Sequence, residues 1–244
     1  MDDHAQRRRD LMREAACVAG AVASAGVWPA LPVAAATTTQ AHGRSLLVDE
    51  LGAPLRAKAL RVGEAMLFNY PYVSSPVFLI ALDASVNAAE QPPNEGRASY
   101  ASPAGVGPSK SIVAFCAICS HRLMYPTPQL SFIGVRKGAG KGEPAHVIHC
   151  CGDDSRYDPI HGARVLAGPA PQPLAAVMLE WQPKDDTLHA VGVVGSQPFD
   201  AFFEKYAFKL EMEYGNGRAR MPAGATVIVK PASAYSKQWQ RCPA

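Results

Sequence analysis

Two short stretches of this chain carry residue types that could hold a soft metal. The first runs Cys116-Ala117-Ile118-Cys119-Ser120-His121, and the second His149-Cys150-Cys151-Gly152-Asp153-Asp154-Ser155. A gap of 28 residues (122–149) separates His121 from Cys150. Thiolates joined by an imidazole suit zinc or an iron–sulfur cluster. The chain has six cysteines; Cys17 falls in an N-terminal segment and Cys242 near the end, so four remain for these two stretches. A disulfide-only reading is the alternative for an exported chain. It would leave His121 and the Asp153-Asp154 pair without a role.

Such groups must be presented by loops at strand ends, and the composition fits a β scaffold. The 244 residues are 48% hydrophobic and 18% charged, with 20 Gly, 21 Pro and 8% aromatics, which points to a loop-rich β protein. Lys+Arg 24 against Asp+Glu 21 leaves +3, too little to argue for nucleic acid. Apolar and β-branched runs predict strands over 60–68, 77–82, 111–115, 147–149, 176–181 and 187–194. Residues 83–108, rich in Ala, Pro, Gly, Ser and Asn, are expected as a long surface loop. The Gly138-Ala139-Gly140-Lys141-Gly142 run lacks the spacing of a phosphate loop and suits a solvated hairpin tip. A short helix over 199–209 and a last strand over 225–230 are expected in the tail. His42, His146 and His189 have no companion signal and are expected at the surface. Past residue 40 there is no run of eighteen strongly apolar residues, which excludes a multi-span membrane protein.

Residues 1–36 have the order of an export signal. Arg7-Arg8-Arg9-Asp10-Leu11-Met12-Arg13 precedes a soft, alanine-rich stretch from Ala15 to Ala36, and Ala34-Ala35-Ala36 offers a small-residue cleavage site. That order resembles a twin-arginine signal, which implies a periplasmic protein exported already folded. The chain would meet the membrane only if the segment were retained as an anchor. Residues 37–54 are then expected as a linker.

From about 55 to 196 the chain resembles the Rieske iron–sulfur family. The second stretch continues through Ser155-Arg156-Tyr157-Asp158-Pro159 to Gly162, Gly168-Pro169-Ala170-Pro171 and Leu174. The family pattern is Cys-Pro-Cys-His-x-Ser-x-Tyr/Phe-Asp, followed by a Gly, a Gly-Pro-Ala-Pro loop and a Leu. Cys119-Ser120-His121 is similar to the family's Cys-Thr-His box. Val62-Gly63-Glu64, Tyr70-Pro71 and Gly105-Val106-Gly107-Pro108 are similar to the small subunits of arsenite oxidases.

The resemblance implies an all-β, Rieske-type antiparallel sandwich or barrel over 55–197. It also implies a small cluster-binding subdomain at about 112–175 and a C-terminal extension, 198–244, that could dock a partner. It implies a [2Fe-2S] cluster. Registered on Ser155, Tyr157 and Asp158, Cys119 and His121 fall on the first ligand pair and Cys150 on the third ligand. Asp153 stands where the family has a second histidine. Asp154, Cys151, His149 and His161 stay open as alternatives for that fourth position. Met124 and Gly152 fall where the family joins its two loops by a disulfide, and a Cys116–Cys151 bridge is an alternative clamp. Ser155 and Tyr157 are implied as donors to the cluster, and Gly168 and Pro169 as the start of a loop covering it.

The implied role is that of an electron-transfer subunit of an oxidoreductase complex. It would pass single electrons between a catalytic subunit, suggested to contain molybdenum, or a quinol, and a cytochrome-type acceptor. Two alternatives stand beside it. One is the Rieske subunit of a quinol–cytochrome c reductase, the other a degenerate module that binds zinc or no metal.

Overall fold

The protein is described by a computed structural model over residues 39–91, 100–138, 142–195 and 197–242. The expected signal, 1–36, lies outside the described residues. In chain order the first strands are β1 (Thr39–Val48), β2 (Ala65–Asn69), β3 (Pro76–Ala81), β4 (Ala89–Gln91), β5 (Tyr100–Ser102) and β6 (Ile112–Cys116). They are followed by β7 (Leu130–Ser131), β8 (Ile133–Lys137), β9 (His146–Cys150), β10 (Ser155–Asp158) and β11 (Arg164–Ala167). The last are β12 (Ala176–Gln182), β13 (Thr187–Val194), β14 (Thr226–Ile228), β15 (Lys230–Pro231) and β16 (Gln238–Trp239). Three α-helices are described, α1 (Phe199–Lys205), α2 (Ala207–Tyr214) and α3 (Ala232–Tyr235).

The all-β expectation holds. Eight strands form one sheet in the order β14-β1-β13-β12-β6-β3-β2-β15. Its pairs are antiparallel except β1 with β14. β14 and β15 stand at opposite edges of this sheet, yet only Val229 separates them in sequence. One stretch of chain therefore reaches both edges, and the sheet curls into a nearly closed barrel. A second, antiparallel sheet in the order β11-β10-β9-β8 makes the smaller subdomain.

The period-2 alternation of strands divides the core. In β3, Val77, Leu79 and Ala81 join the cluster of apolar side chains that also holds Leu47, Leu188 and the α1 phenylalanines. Phe78 and Ile80 point the other way, to a cluster shared with Ile133, Ile148 and Tyr157 of the small sheet. Both faces of β3 are buried, which is why it is an unbroken apolar run rather than an alternating one. Each such buried Leu, Ile or Phe contributes about 1.5–3 kcal/mol.

Two elements depart from expectation. Residues 39–48, expected within a linker, form β1, paired on both sides in the main sheet. Their first six residues (Thr-Gln-Ala-His-Gly-Arg) are exposed apart from the half-buried His42, so only Ser45, Leu47 and Val48 carry a buried pattern. Within the expected 83–108 loop, β4 and β5 pair as an antiparallel ribbon, with Gln91 buried and donating from Nε2 to the His161 carbonyl. The Gly138–Gly142 run does fall in the β8–β9 connection, where Lys137 faces His146. Residues 139–141 lie outside the described residues.

The segment after 197 is packed against the rest. Phe199, Phe202 and Phe203 form one apolar face of α1, at the i, i+3, i+4 spacing of a helix. They meet Tyr72 and Tyr125 edge-on, with ring centroids 4.9–5.4 Å apart. Tyr125 follows the first cysteine loop directly, so α1 buttresses that loop from behind. The tail then gives β14 and β15 to the barrel and β16 to a parallel pair with β7. His189 is buried in β13, His146 sets the Nε2 end of its ring against Gly63, and His42 is half-buried edge-on to Tyr70 and Tyr72, so none is the plain surface residue expected.

Candidate metal centre

Strand parity decides which cysteines meet. Along β6 and its extension, Val113, Phe115, Ala117 and Cys119 face the cluster of side chains shared with the small sheet, while Ile112, Ala114, Cys116 and Ile118 face the barrel interior. Cys119 thus enters the site and Cys116 does not. Cys116 is a free, fully buried thiol, and burial pushes its pKa up to about 12. On β9 the same rule separates neighbours. Cys150 lies with Ile148 in the shared cluster, and Cys151 points away, bonded to Cys242. The Cys116–Cys151 bridge is therefore replaced by Cys151–Cys242.

Cys119 Sγ, Cys150 Sγ and an Asp153 carboxylate oxygen all lie within 4.8 Å of one another. His121 closes the group from outside, its Nδ1 3.0 Å from Asp153 Oδ2. The His121 side chain is 35% exposed and that of Asp153 only 2%. Asp153 Oδ2 also lies 3.3 Å from Cys119 Sγ, and its Oδ1 accepts from the Ser155 backbone N–H at 3.1 Å. Loop closure around the first thiol is tight: Cys119 N–H donates to the Met124 carbonyl at 2.8 Å and Leu123 N–H to the Cys119 carbonyl at 2.9 Å.

The side chains behind the thiols come from β10. Ser155 stands opposite Cys150 and Tyr157 opposite Ile148, so both project into the same buried face. Tyr157 Oη is 3.3 Å from Cys119 Sγ and 3.2 Å from Ser120 Oγ. Ser120 Oγ donates to the Gln172 carbonyl at 2.7 Å, tying the first loop to the Pro-rich one. Ser155 Oγ lies near the Asp153 carboxylate but outside bonding geometry, and it is buried without a partner. Gly168 has φ +87, and a Cβ there would sit 2.5 Å from the Asp154 carbonyl oxygen and the Ser155 Cα. Only glycine lets this loop rest on the backbone of the second cysteine stretch. Pro169, the next residue, is exposed.

Electrostatics sort the two thiols. The neighbouring Cys150 thiol, against the opposing effect of burial, holds Cys119 down at about 7, with Tyr157 as a further donor. Cys150 is pushed up by the same contact and by burial. Burial pushes Asp153 up, but hydrogen bonding, led by the Ser155 N–H, outweighs it and holds the carboxyl below its ordinary value. Tyr157 is raised by burial and the adjacent Cys119, so it stays a protonated donor. An ionised carboxylate sealed to 2% beside a thiolate is costly unless a cation completes the site.

Of the alternatives for a fourth ligand, Cys151 is in its disulfide. His149 Nε2 is 2.6 Å from Asp154 Oδ1, on the other side of β9 from Cys150. His161 Nδ1 is 2.7 Å from Asp158 Oδ2. Sequence reasoning missed the contact of Met124 Sδ with Cys150 Sγ at 4.0 Å and the link from Cys151 to the tail. The residues involved are 26 and 91 positions apart, and no spacing pattern reports them.

No family model matches the chain. Among solved structures, the chain is similar to the soluble domain of the Rieske protein II (soxF) from Sulfolobus acidocaldarius, 26% identical, with a TM-score of 0.42 over 62% of this chain and 78% of that one.

Proposed function

We propose that these loops hold a Rieske-type [2Fe-2S] cluster, with Cys119 and Cys150 on one iron and His121 and Asp153 on the other, in an electron-transfer subunit. The observation that carries this reading is the sealed group of two thiols and a carboxylate, backed by a buried hydroxyl that has no partner in the protein. Ser155 Oγ is a donor without an acceptor, and a sulfide would supply one. When bound, the cluster would accept and release one electron at a time. Tyr157 holds its proton toward Cys119 Sγ and thereby favours the more negative, reduced state. The Pro-rich loop covers Ser155, and Ser120 pins that loop to the first. Among these residues His121 is the one whose ring reaches solvent, so a partner would approach from its side.

The partners follow from the sequence resemblance: a catalytic subunit, suggested to carry molybdenum, or a quinol on one side and a cytochrome-type protein on the other. Periplasmic export rests on the twin-arginine pattern. The Cys151–Cys242 disulfide suits an oxidising compartment.

The same three atoms would also suit a single zinc ion, so the test must name the metal. Protein prepared anaerobically should contain about two irons and two acid-labile sulfides per chain, as a [2Fe-2S] site demands, and give an EPR signal on dithionite reduction. Colourless protein with zinc and no sulfide would replace the proposal with the structural-zinc reading. Given the cluster, Tyr157→Phe should keep its iron and lower the midpoint by tens of millivolts (roughly), since a donor to a ligand sulfur is lost. Ser155→Ala should act in the same direction. Voltammetry on the three proteins checks this, and an unchanged or higher midpoint would count against both hydroxyls as donors.

A further inference from the structure

We infer that Met124 is a positioning residue for the two thiols and that Gly152 is the hollow that receives it. Met124 touches both cysteine stretches. Its carbonyl accepts the N–H of Cys119, and its Sδ lies 4.0 Å from Cys150 Sγ. Its side chain lies over Gly152, where a Cβ would meet Met124 Sδ at 2.0 Å and Cε at 2.6 Å. Gly152 does not have a positive φ, so its backbone would accept any residue. Space for the thioether, not turn conformation, is what requires glycine there.

Several contacts between the stretches run through groups that the proposed function commits to metal, namely His121 to Asp153 and Cys119 to Asp153, while Ser120 with Tyr157 is tied at the far side of Cys119. Met124 on Gly152 is a contact that survives that commitment. It ties the loop of Cys119 to the loop of Cys150 by packing, on the side away from Tyr157. A flexible, polarisable thioether suits the task, since it fills an irregular gap beside sulfur without presenting a charge. The inference rests on the cluster reading only for its spectroscopic part; the lock itself belongs to the protein.

Complementary substitutions test it. Gly152→Ala should force Met124 out and speed loss of iron about tenfold under chelator. Met124→Ala should do the same by emptying the hollow. The double variant Met124→Ala/Gly152→Ala should lose iron more slowly than Gly152→Ala alone, because the new methyl enters the vacated space. Met124→Leu should stay near wild type. The EPR line shape of Met124→Ala should shift while its iron content before chelation remains full, a change that a remote stability defect would not produce. Amide hydrogen exchange of the full chain as purified gives a readout independent of iron. The 119–124 and 150–153 segments should exchange faster in each single variant, and protection should return in the double. A Gly152→Ala protein indistinguishable from wild type, or a double variant no better than Gly152→Ala in exchange, would overturn the inference. Wild type without iron, but with this exchange pattern, would leave the lock standing and remove the cluster.

Discussion

Given the proposed cluster, replacing Asp153 with alanine should strip most of the iron from the protein, and replacing it with histidine should restore iron and raise the midpoint. Asp153 is sealed to 2% and stays below its ordinary pKa because hydrogen bonding, led by the Ser155 N–H, outweighs burial. Alanine removes the proposed ligand and leaves the buried Ser155 N–H without its acceptor, a loss of about 1–3 kcal/mol even before metal is counted. Histidine supplies a neutral nitrogen instead of an anionic oxygen. An anion on the reducible iron favours the ferric state, so its removal should shift the midpoint upward, on the order of 100 mV within the span from all-thiolate to two-histidine centres. Iron analysis and voltammetry on the three proteins read both arms. Full iron in Asp153→Ala would dismiss the carboxylate as a ligand, and a midpoint that falls in Asp153→His would dismiss the charge argument.

The site was partly legible before any coordinates. Registration on the Rieske pattern singled out Cys119, His121, Cys150, Asp153, Ser155 and Tyr157, and the structure groups Cys119, Cys150 and Asp153, with His121 against Asp153 and Tyr157 against Cys119. Strand parity, applied to Cys116 and Cys151, would have excluded both, since each stands on the opposite face from its ligand neighbour. The strands at 76–81, 112–116 and 187–194 are readable because each is largely buried, and 176–182 because its first half is. What escaped was built from non-local contacts. β1 is half polar and is made a strand by β13 and β14 on its flanks. Propensity does not encode such partners. The resemblance placed Met124 and Gly152 at facing positions between the loops, but only the packed thioether shows why the second is glycine.

Removing the Cys151–Cys242 disulfide should produce a large loss of stability without touching a proposed metal ligand. The bridge joins residues 91 positions apart and binds the end of the chain to the residue after Cys150. The tail otherwise lies along 127–134 by modest contacts. Ser236 Oγ donates to the Thr127 carbonyl at 2.6 Å, Gln240 N–H donates to the Ser131 carbonyl at 2.8 Å, and the Trp239 ring rests on Gly134. Arg136 adds one clamp, its Nη2 lying 3.0 Å from Cys151 Sγ and donating to the Gln240 carbonyl. A bridge closing so long a loop is worth ~2–4 kcal/mol, chiefly by restricting the unfolded chain. For a protein of this size that corresponds to a fall in Tm of roughly 10 °C. Thermal unfolding of Cys242→Ser, and of Cys151→Ser/Cys242→Ser to remove the stranded thiol, should show that fall without reductant. Dithiothreitol should bring wild type down to the same Tm and leave the double variant unmoved. Because the Cys151 N–H donates to the Phe132 carbonyl and its neighbour is a proposed ligand, cluster loss should quicken in parallel. Equal Tm values for wild type and both variants would show that the tail holds by its hydrogen bonds and Trp239 packing alone.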